Sequence, residues 1–263
     1  MIFPEGTFAQ TLADAVAKLV AKEHSHMELF VTGISSGLPP SQRNYAAQYR
    51  YVGGQRSSKS LQSKHHRWRL EEHQIRQYQL GGFLDPNYIW WEHIDVHQRA
   101  IGFSVNRHEA VIAALVCEDL ARNDPVLPTV AAVGPTLVIA LLLDGPQLQK
   151  RWPGRYATVL AEDPGSSVLT LTSLGMIERS AMPGGDNRAV VALWKERQGD
   201  ATELVLPKGH HALILSLNCH KKQQVTLDRR RSSGETLEYR LGATRAVQLK
   251  NPPAWLERRF GSA

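Results

Sequence analysis

A thiol stands where a hydrophobic run gives way to charge. From Ala110 to Val116 the chain is continuously apolar; Cys117 follows, then Glu118, Asp119 and Arg122, in the stretch A-V-I-A-A-L-V-C-E-D-L-A-R-N-D-P that closes at Pro125. A short unbroken apolar run reads as a strand buried on both faces. Side chains and free backbone N-H groups converge beyond the carboxyl ends of such strands, where an α/β enzyme places a nucleophile. A cysteine used in this way needs a base to take its proton, a cation or N-H donors to hold an oxyanion, and groups that orient both. The plainer reading of Cys117 is a small core residue. Cys219, at the end of a later strand, is read as inert.

The elements that must position such a thiol come in a mixed order. M-I-F-P-E-G reads as the end of a strand, and Phe8, Leu12, Ala15, Val16, Leu19 and Val20 recur at helical spacing through Ala21. Glu28 to Ile34 reads as a strand closed by the Gly33 to Pro40 loop, and Asn44 to Val52 as another, closed by Gly53-Gly54. Gln55 to Leu80 is polar and basic, read as a short strand, a surface loop and one helical turn. Short strands are expected at Ile89 to Val96 and Ala100 to Val105, ahead of the Cys117 strand. Leu137 to Leu143 is a second buried strand ending at Asp144-Gly145, and Pro153 opens a helix to about Glu162. Val168 to Thr172, Ala189 to Trp194 and Ala212 to Leu217 are further strands, separated by turns such as Pro183-Gly184-Gly185. Weaker strand signals lie at Thr236 to Leu241 and Ala246 to Leu249. Strands outnumber helices, so sheet must cover sheet, and a layered α-β-β-α sandwich accommodates this better than a doubly wound sheet. No repeat or linker divides the chain, so residues 1–263 are read as a single domain.

Composition bounds the class. A chain of 263 residues that is 42% hydrophobic can bury a sizeable core. It has no apolar run of about eighteen residues and no signal-peptide pattern, so no membrane partner is expected. Two cysteines outside any C-x-x-C or zinc pattern fit a reducing cytoplasm. The net charge of +6 and pI near 9.4 come with basic clusters at Arg56, Lys59, Lys64, Arg67 and Arg69 and at Arg229 to Arg231. These read as solvated faces and leave nucleic acid open as a partner, without a recognised binding motif. His65-His66 and His210-His211 lack carboxylate or cysteine neighbours at ligand spacing, so no metal is expected. No phosphate-binding glycine loop is present, so no cofactor is implied. Trp90, Trp91 and Trp194 read as core or interface residues.

Three separated segments supply the groups a cysteine nucleophile needs. F-P-E-G gives Glu5, S-K-H-H gives Lys64 in a K-x-H context, and V-C-E-D-L-A-R gives Cys117. In that order they resemble the nitrilase, or carbon-nitrogen hydrolase, superfamily, whose members use Glu, Lys and Cys. Lys59 competes with Lys64 but lacks the K-x-H context. Glu72 follows Lys64 where the family often has a second glutamate, and Asn44-Tyr45 resembles the asparagine that starts the family's next strand. Asp119, Arg122 and Pro125 echo its C-x-D-x-R-F-P pattern with one extra residue. The C-E-D-L form is also similar to the glutamine-hydrolysing domain of some NAD synthetases. R-W-P-x-R-Y-A and L-A-E-D-P-G look similar to nitrilase-like domains fused downstream of reverse transcriptases in bacterial anti-phage proteins.

The resemblance implies an α-β-β-α sandwich and thiol attack on the C-N bond of a small amide or nitrile. In it Glu5 would be the general base and Cys117 the nucleophile, with Lys64 and the N-H of Glu118 holding the oxyanion. Glu72 would support Lys64 or the substrate, against an equal reading as a surface carboxylate. Asp144, which ends the strand expected beside the cysteine strand, reads equally as a pocket-lining residue and as a surface turn aspartate. The resemblance also implies a homo-oligomer and, through the anti-phage likeness, an attached reverse transcriptase. The family has a strand and helix before its glutamate, whereas only four residues precede Glu5 here. Another segment or chain is therefore expected to complete the sheet. The competing expectation is a catalytically idle nitrilase-fold scaffold, which tolerates loss of Cys117. A third is glutamine hydrolysis that feeds ammonia to a partner domain.

Overall fold

The computed structural model of the chain describes residues 1–37, 42–96, 99–106, 109–180, 188–225, 227, 231–254 and 256. Strand β1 (Ile2–Ala9) runs directly into helix α1 (Gln10–Glu23), which turns Ala13, Ala17 and Val20 toward a sheet at helical spacing. β2 (Leu29–Ser36) lies parallel to β1, as the α1 crossover requires. β3 (Arg43–Val52) and β4 (Gln55–Ser63) add antiparallel neighbours, giving the order β1-β2-β3-β4. Strand alternation sorts the two faces of this sheet. Phe30, Ile34, Ala47, Tyr49 and Tyr51 pack under α1, while Val31 and Ala46 point the other way into the main core.

A small ribbon, β5 (Arg69–Leu70) with β6 (Trp90–Trp91), brackets helix α2 (Glu72–Gln77). A second sheet then forms from β7 (Phe103–Val105), β8 (Val111–Val116), β9 (Leu137–Leu141), β10 (Ser167–Leu171), β11 (Val190–Lys195) and β12 (Thr202–Val205), in the order β12-β11-β10-β9-β8-β7. Its central strands β8, β9 and β10 are parallel, joined by crossovers that carry α3 (Val126–Val133) and α4 (Trp152–Glu162). Helix α5 (Leu174–Arg179) follows β10. Such parallel strands must be covered on both faces, and β8 and β9 are accordingly apolar throughout, while β10 carries the buried Ser167 and Thr170. A long antiparallel hairpin, β13 (Ala212–Val225) with β14 (Arg231–Val247), closes the chain and lays Leu213, Leu215, Leu217, Tyr239 and Leu241 against the main core.

The layers are α1, the four-stranded sheet, the six-stranded sheet, then α3 and α4: the mixed α-β-β-α sandwich that the sequence pattern predicts. Val31 and Ala46 share one cluster with Ile112 and Leu115 of the facing sheet, and Val126, Val130, Ala157 and Leu160 cover that sheet's far side. Polar links between β3-β4 and the β7 segment cross the sheet interface. Ser104 Oγ donates to Gln48 Oε1 at 2.7 Å, and the Gly102 N-H to Gln62 Oε1 at 2.8 Å. Both fix the register in which the two sheets face each other, because a buried polar group is costly unless paired.

Some elements differ from the sequence reading. β2 runs past Gly33 to Ser36, because β3 pairs with it along its whole length. The strand expected over Ile89 to Val96 shrinks to Trp90–Trp91, and the weak signals at Thr236 and Ala246 lie in one continuous strand held by its hairpin partner. Helices α3 and α5 and strand β12 have no counterpart in the sequence reading. The turn at Pro183-Gly184-Gly185 lies outside the described residues, as do Arg229 and Arg230. β1 forms an edge of its sheet, with no strand on its outer side among the described residues. No described helix is long and apolar enough to cross a membrane.

Candidate active site

β8 delivers Cys117 in an unusual backbone conformation. Its φ of 45° lies in the left-handed region, and a short 3-10 turn, Cys117–Ala121, begins there. A left-handed non-glycine residue costs roughly 1–3 kcal/mol and persists only where the surroundings enforce it. Asp119 contributes to that enforcement. Fully buried, its carboxylate accepts the N-H groups of His65 and His66, each at 3.0 Å, and pairs with His66 Nδ1 at 3.0 Å. The cysteine turn is thereby tied to the segment that carries Lys64.

Lys64 follows β4 directly, and its N-H donates to the Asn44 carbonyl at 2.8 Å, which extends the β3-β4 ladder by one bond. The side chain turns inward and is 1% exposed. Its ammonium lies 2.9 Å from Glu5 Oε1 and 2.7 Å from Glu92 Oε2. Glu5 reaches this point because β1 bulges. Phe3 is level with Thr32 of β2 while Phe8 is level with Ile34, so the residues between them loop out, with Gly6 at φ 66°. Gly33 makes room for that loop, since a Cβ there would lie 2.4 Å from the Glu5 Cα. Glu5 Oε1 also accepts Asn44 Nδ2 at 2.6 Å, and Oε2 accepts the Leu143 N-H at 3.0 Å. Asn44 Nδ2 bridges on to Glu92 Oε1 at 3.2 Å, and the Trp68 N-H donates to Glu92 Oε2 at 3.0 Å.

The electrostatics of the group follow from its burial. Burial raises the Glu5 carboxyl above the ordinary 4.5, against the pull of Lys64, while the charge of Glu92 adds to the rise. For Lys64, burial alone would lower the ammonium; Glu5, Cys117 and Glu92 outweigh it and hold it well above its usual range. Burial pushes the Cys117 thiol well up and the Glu5 charge adds to this, opposed by Lys64 and by the Leu143 N-H. Burial thus favours the neutral thiol and makes the Glu5 carboxyl bind a proton more readily than usual, while the neighbouring carboxylates favour the charged Lys64 ammonium.

A cleft of about 400 Å³ opens above the thiol, with Cys117, Leu143 and Asp144 at its base and Trp68, Trp152 and Tyr156 among its walls. Asp144 is held by the Tyr78 hydroxyl and by Arg151 at 2.9 Å, and Glu118 pairs with Arg122 at 3.1 Å. Of the residues read from the sequence, the fold pairs Glu5 with Lys64 in the interior beside Cys117, and Cys117 lines the cleft together with Glu118 and Asp144. Glu72 stands apart: it is exposed on the outer side of α2 and pairs with Arg76 at 2.6 Å. The carboxylate that does reach Lys64 is Glu92, just past the Trp90-Trp91 pair. Its only sequence mark is a charge ending an aromatic strand. Lys59 is bound to Asp14 at 2.8 Å under α1, away from the cleft. Cys219 is exposed on the hairpin, His65 Nε2 meets the Ala100 carbonyl, and Trp194 is a core residue.

No family model matches the sequence, and no curated protein is found as a relative. Among solved structures the fold is similar to a cysteine-to-alanine mutant of an amidase of the nitrilase superfamily from Nesterenkonia AN1. The identity there is 13% and the TM-score 0.44, over 64% of this chain and 61% of that one. It is also similar to Saccharomyces cerevisiae Nit3, a member of branch 10 of that superfamily. Here the identity is 10% and the TM-score 0.39, over 59% of this chain and 49% of Nit3. The chain therefore matches less than two thirds of the length of either protein.

Proposed function

We propose that this chain is a thiol-dependent hydrolase of carbon-nitrogen bonds in amides or nitriles. The observation that carries the reading is the buried Lys64 ammonium 2.9 Å from Glu5, with the Cys117 thiol beside both at the end of a parallel strand. An ion pair placed there for stability alone would be a poor investment, since apolar residues of equal volume commonly do as well.

For an amide, the thiol attacks the carbonyl carbon and its proton passes to Glu5, whose raised pKa suits a base. The C-S bond forms as the C=O π pair moves to oxygen. Lys64 has three N-H donors, two of which serve Glu5 and Glu92, leaving the third for the oxyanion. The N-H of Glu118, at the start of the 3-10 turn, is a second donor. Collapse of the oxyanion breaks the C-N bond, and Glu5 returns its proton to the departing nitrogen. A thioester on Cys117 remains. Water then attacks it with Glu5 as base, releasing the acid and restoring the thiol. A preorganised oxyanion donor typically contributes about 10²–10³ in rate, and a positioned base about 10²–10⁴.

The test is ammonia release from a panel of primary amides and nitriles by wild type, Cys117→Ala and Glu5→Gln, with intact-mass analysis of quenched wild type. Release that Cys117→Ala abolishes, together with an acyl mass on Cys117, is the expected result. Equal release by wild type and Cys117→Ala, or none from any compound, overturns the proposal and leaves the scaffold reading.

A further inference from the structure

Three arginines line the cleft above Cys117, and two of them are already neutralised. Arg122 pairs with Glu118 at 3.1 Å, and Arg151 with Asp144 at 2.9 Å. Arg155 of α4, one helical turn after the N-cap residue Arg151, has no carboxylate partner among the described residues and is exposed to the cleft. Among the arginines that line the cleft, this leaves Arg155 as the one without a carboxylate partner. Beside it, Trp152 and Tyr156 pack edge to face with centroids 6.4 Å apart, and Trp68 packs against Tyr78 at 5.3 Å. The cleft thus sets these aromatic rings in a largely polar lining, together with an unmatched guanidinium and the Cys117 thiol. Its volume of about 400 Å³ suits a small molecule rather than a folded protein.

We infer, building on the hydrolase reading above, that the substrate is a small amide whose acyl part carries an ionised acid group, with Arg155 as the cation that receives it. A guanidinium binds a carboxylate through paired N-H donors, which fixes orientation as well as charge. The anion then sits at the wall, its linking carbons cross the aromatic rings, and the amide carbon faces Cys117. Since Arg155 is exposed, its attraction is screened by salt.

The test compares succinamic acid with the neutral butyramide by ammonia release, for wild type and Arg155→Ala. Arg76→Ala, an exposed arginine outside the cleft, serves as the control. Wild type is expected to favour the anionic amide in kcat/KM. Arg155→Ala should cut the anionic-to-neutral ratio by about 10–100-fold, chiefly through KM, while Arg76→Ala leaves the ratio unchanged. Arg155→Glu should reverse the preference toward an amide bearing an ammonium group, and raising salt should erode the wild-type preference. Equal use of both amides by wild type, or a ratio that Arg155→Ala does not move, overturns the inference while leaving the hydrolase reading intact. If the hydrolase reading is what fails, neither amide is cleaved and no acyl mass appears on Cys117.

Discussion

Replacing Lys64 by methionine removes the cation that Glu5 and Glu92 share while keeping most of the side-chain volume, so the loss is electrostatic rather than a cavity. The ammonium lies 2.9 Å and 2.7 Å from the two carboxylates, and the Lys64 and Glu5 side chains are each 1% exposed. Removing one partner of a buried pair typically costs about 3–5 kcal/mol because the other charge is stranded. Asn44 Nδ2 and the Leu143 N-H still hold Glu5, which favours the lower end, about 3 kcal/mol. At roughly 2–4 °C per kcal/mol for a chain of this size, Tm falls by about 10 °C. The loss depends on pH. Burial already raises Glu5 above 4.5 in the folded protein against the pull of Lys64, and without Lys64 it rises further. A carboxyl raised on folding gives the fold its full stability below the unfolded value and forfeits it as pH climbs through the folded one. The gap between variant and wild type should therefore be wide at pH 8 and shrink toward pH 5. Urea unfolding followed by tryptophan fluorescence at both pH values measures it, and the two gaps should differ by at least about 1.4 kcal/mol, one pKa unit. Adding Glu5→Gln to Lys64→Met should recover about 1 kcal/mol or more at pH 8. A gap of the same size at both pH values, or no loss at all, refutes the reasoning.

Gly33→Ala should lower kcat/KM by about 100-fold, the usual effect of a displacement near 1 Å at a reacting group, because its Cβ would drive β1 and Glu5 outward; circular dichroism at 25 °C should show the fold retained. Asp119→Asn should cost about 2–3 kcal/mol in urea unfolding, since its amide nitrogen would face the N-H donors of His65 and His66. Cys117→Gly should be more stable than Cys117→Ala by roughly 1 kcal/mol because of the left-handed φ, and equal stability would count against enforced strain at that turn. In a pH-rate profile of amide hydrolysis, the acid limb should lie above the 4.5 of an ordinary glutamate, because Glu5 must be ionised to act. No alkaline fall from Lys64 should appear below its ordinary 10.5.

The parts of the site that were legible in the sequence are those set by local pattern. The apolar run before Cys117 marks the end of a central parallel strand, and that end is where the thiol stands. F-P-E-G carries its own glycine, and Gly6 supplies the turn of the bulge that aims Glu5 inward. Glu92 was not legible because its position depends on where a two-residue ribbon leaves the chain, and no periodicity reports that. The same cause shortened the strand expected over Ile89 to Val96: its later residues form bonds with the site instead of a ladder, Glu92 with Lys64 and Asn44, and the Ile94 carbonyl with Arg67. Glu72 was misplaced for the opposite reason. On α2 its neighbours Gln74 and Gln77 face the cleft, and helical geometry then turns Glu72 to solvent. Helix α3 was hidden because V-L-P-T-V-A-A-V is apolar without a clear face, and only Val126 and Val130 are fully buried.

The central claim is that Glu5 and Lys64 make Cys117 reactive, and alkylation of the folded protein tests it most directly. Iodoacetamide is small enough for the cleft, and the exposed Cys219 is an internal reference within every sample. Peptide mapping after brief treatment at pH 7 should show Cys117 modified in the folded wild type. Glu5→Gln and Lys64→Met should slow that modification at least about tenfold, at the low end of what a positioned base contributes, while the rate at Cys219 stays the same. Modification of Cys219 alone until the protein unfolds, or modification of Cys117 at the same rate in all three proteins, would contradict the account.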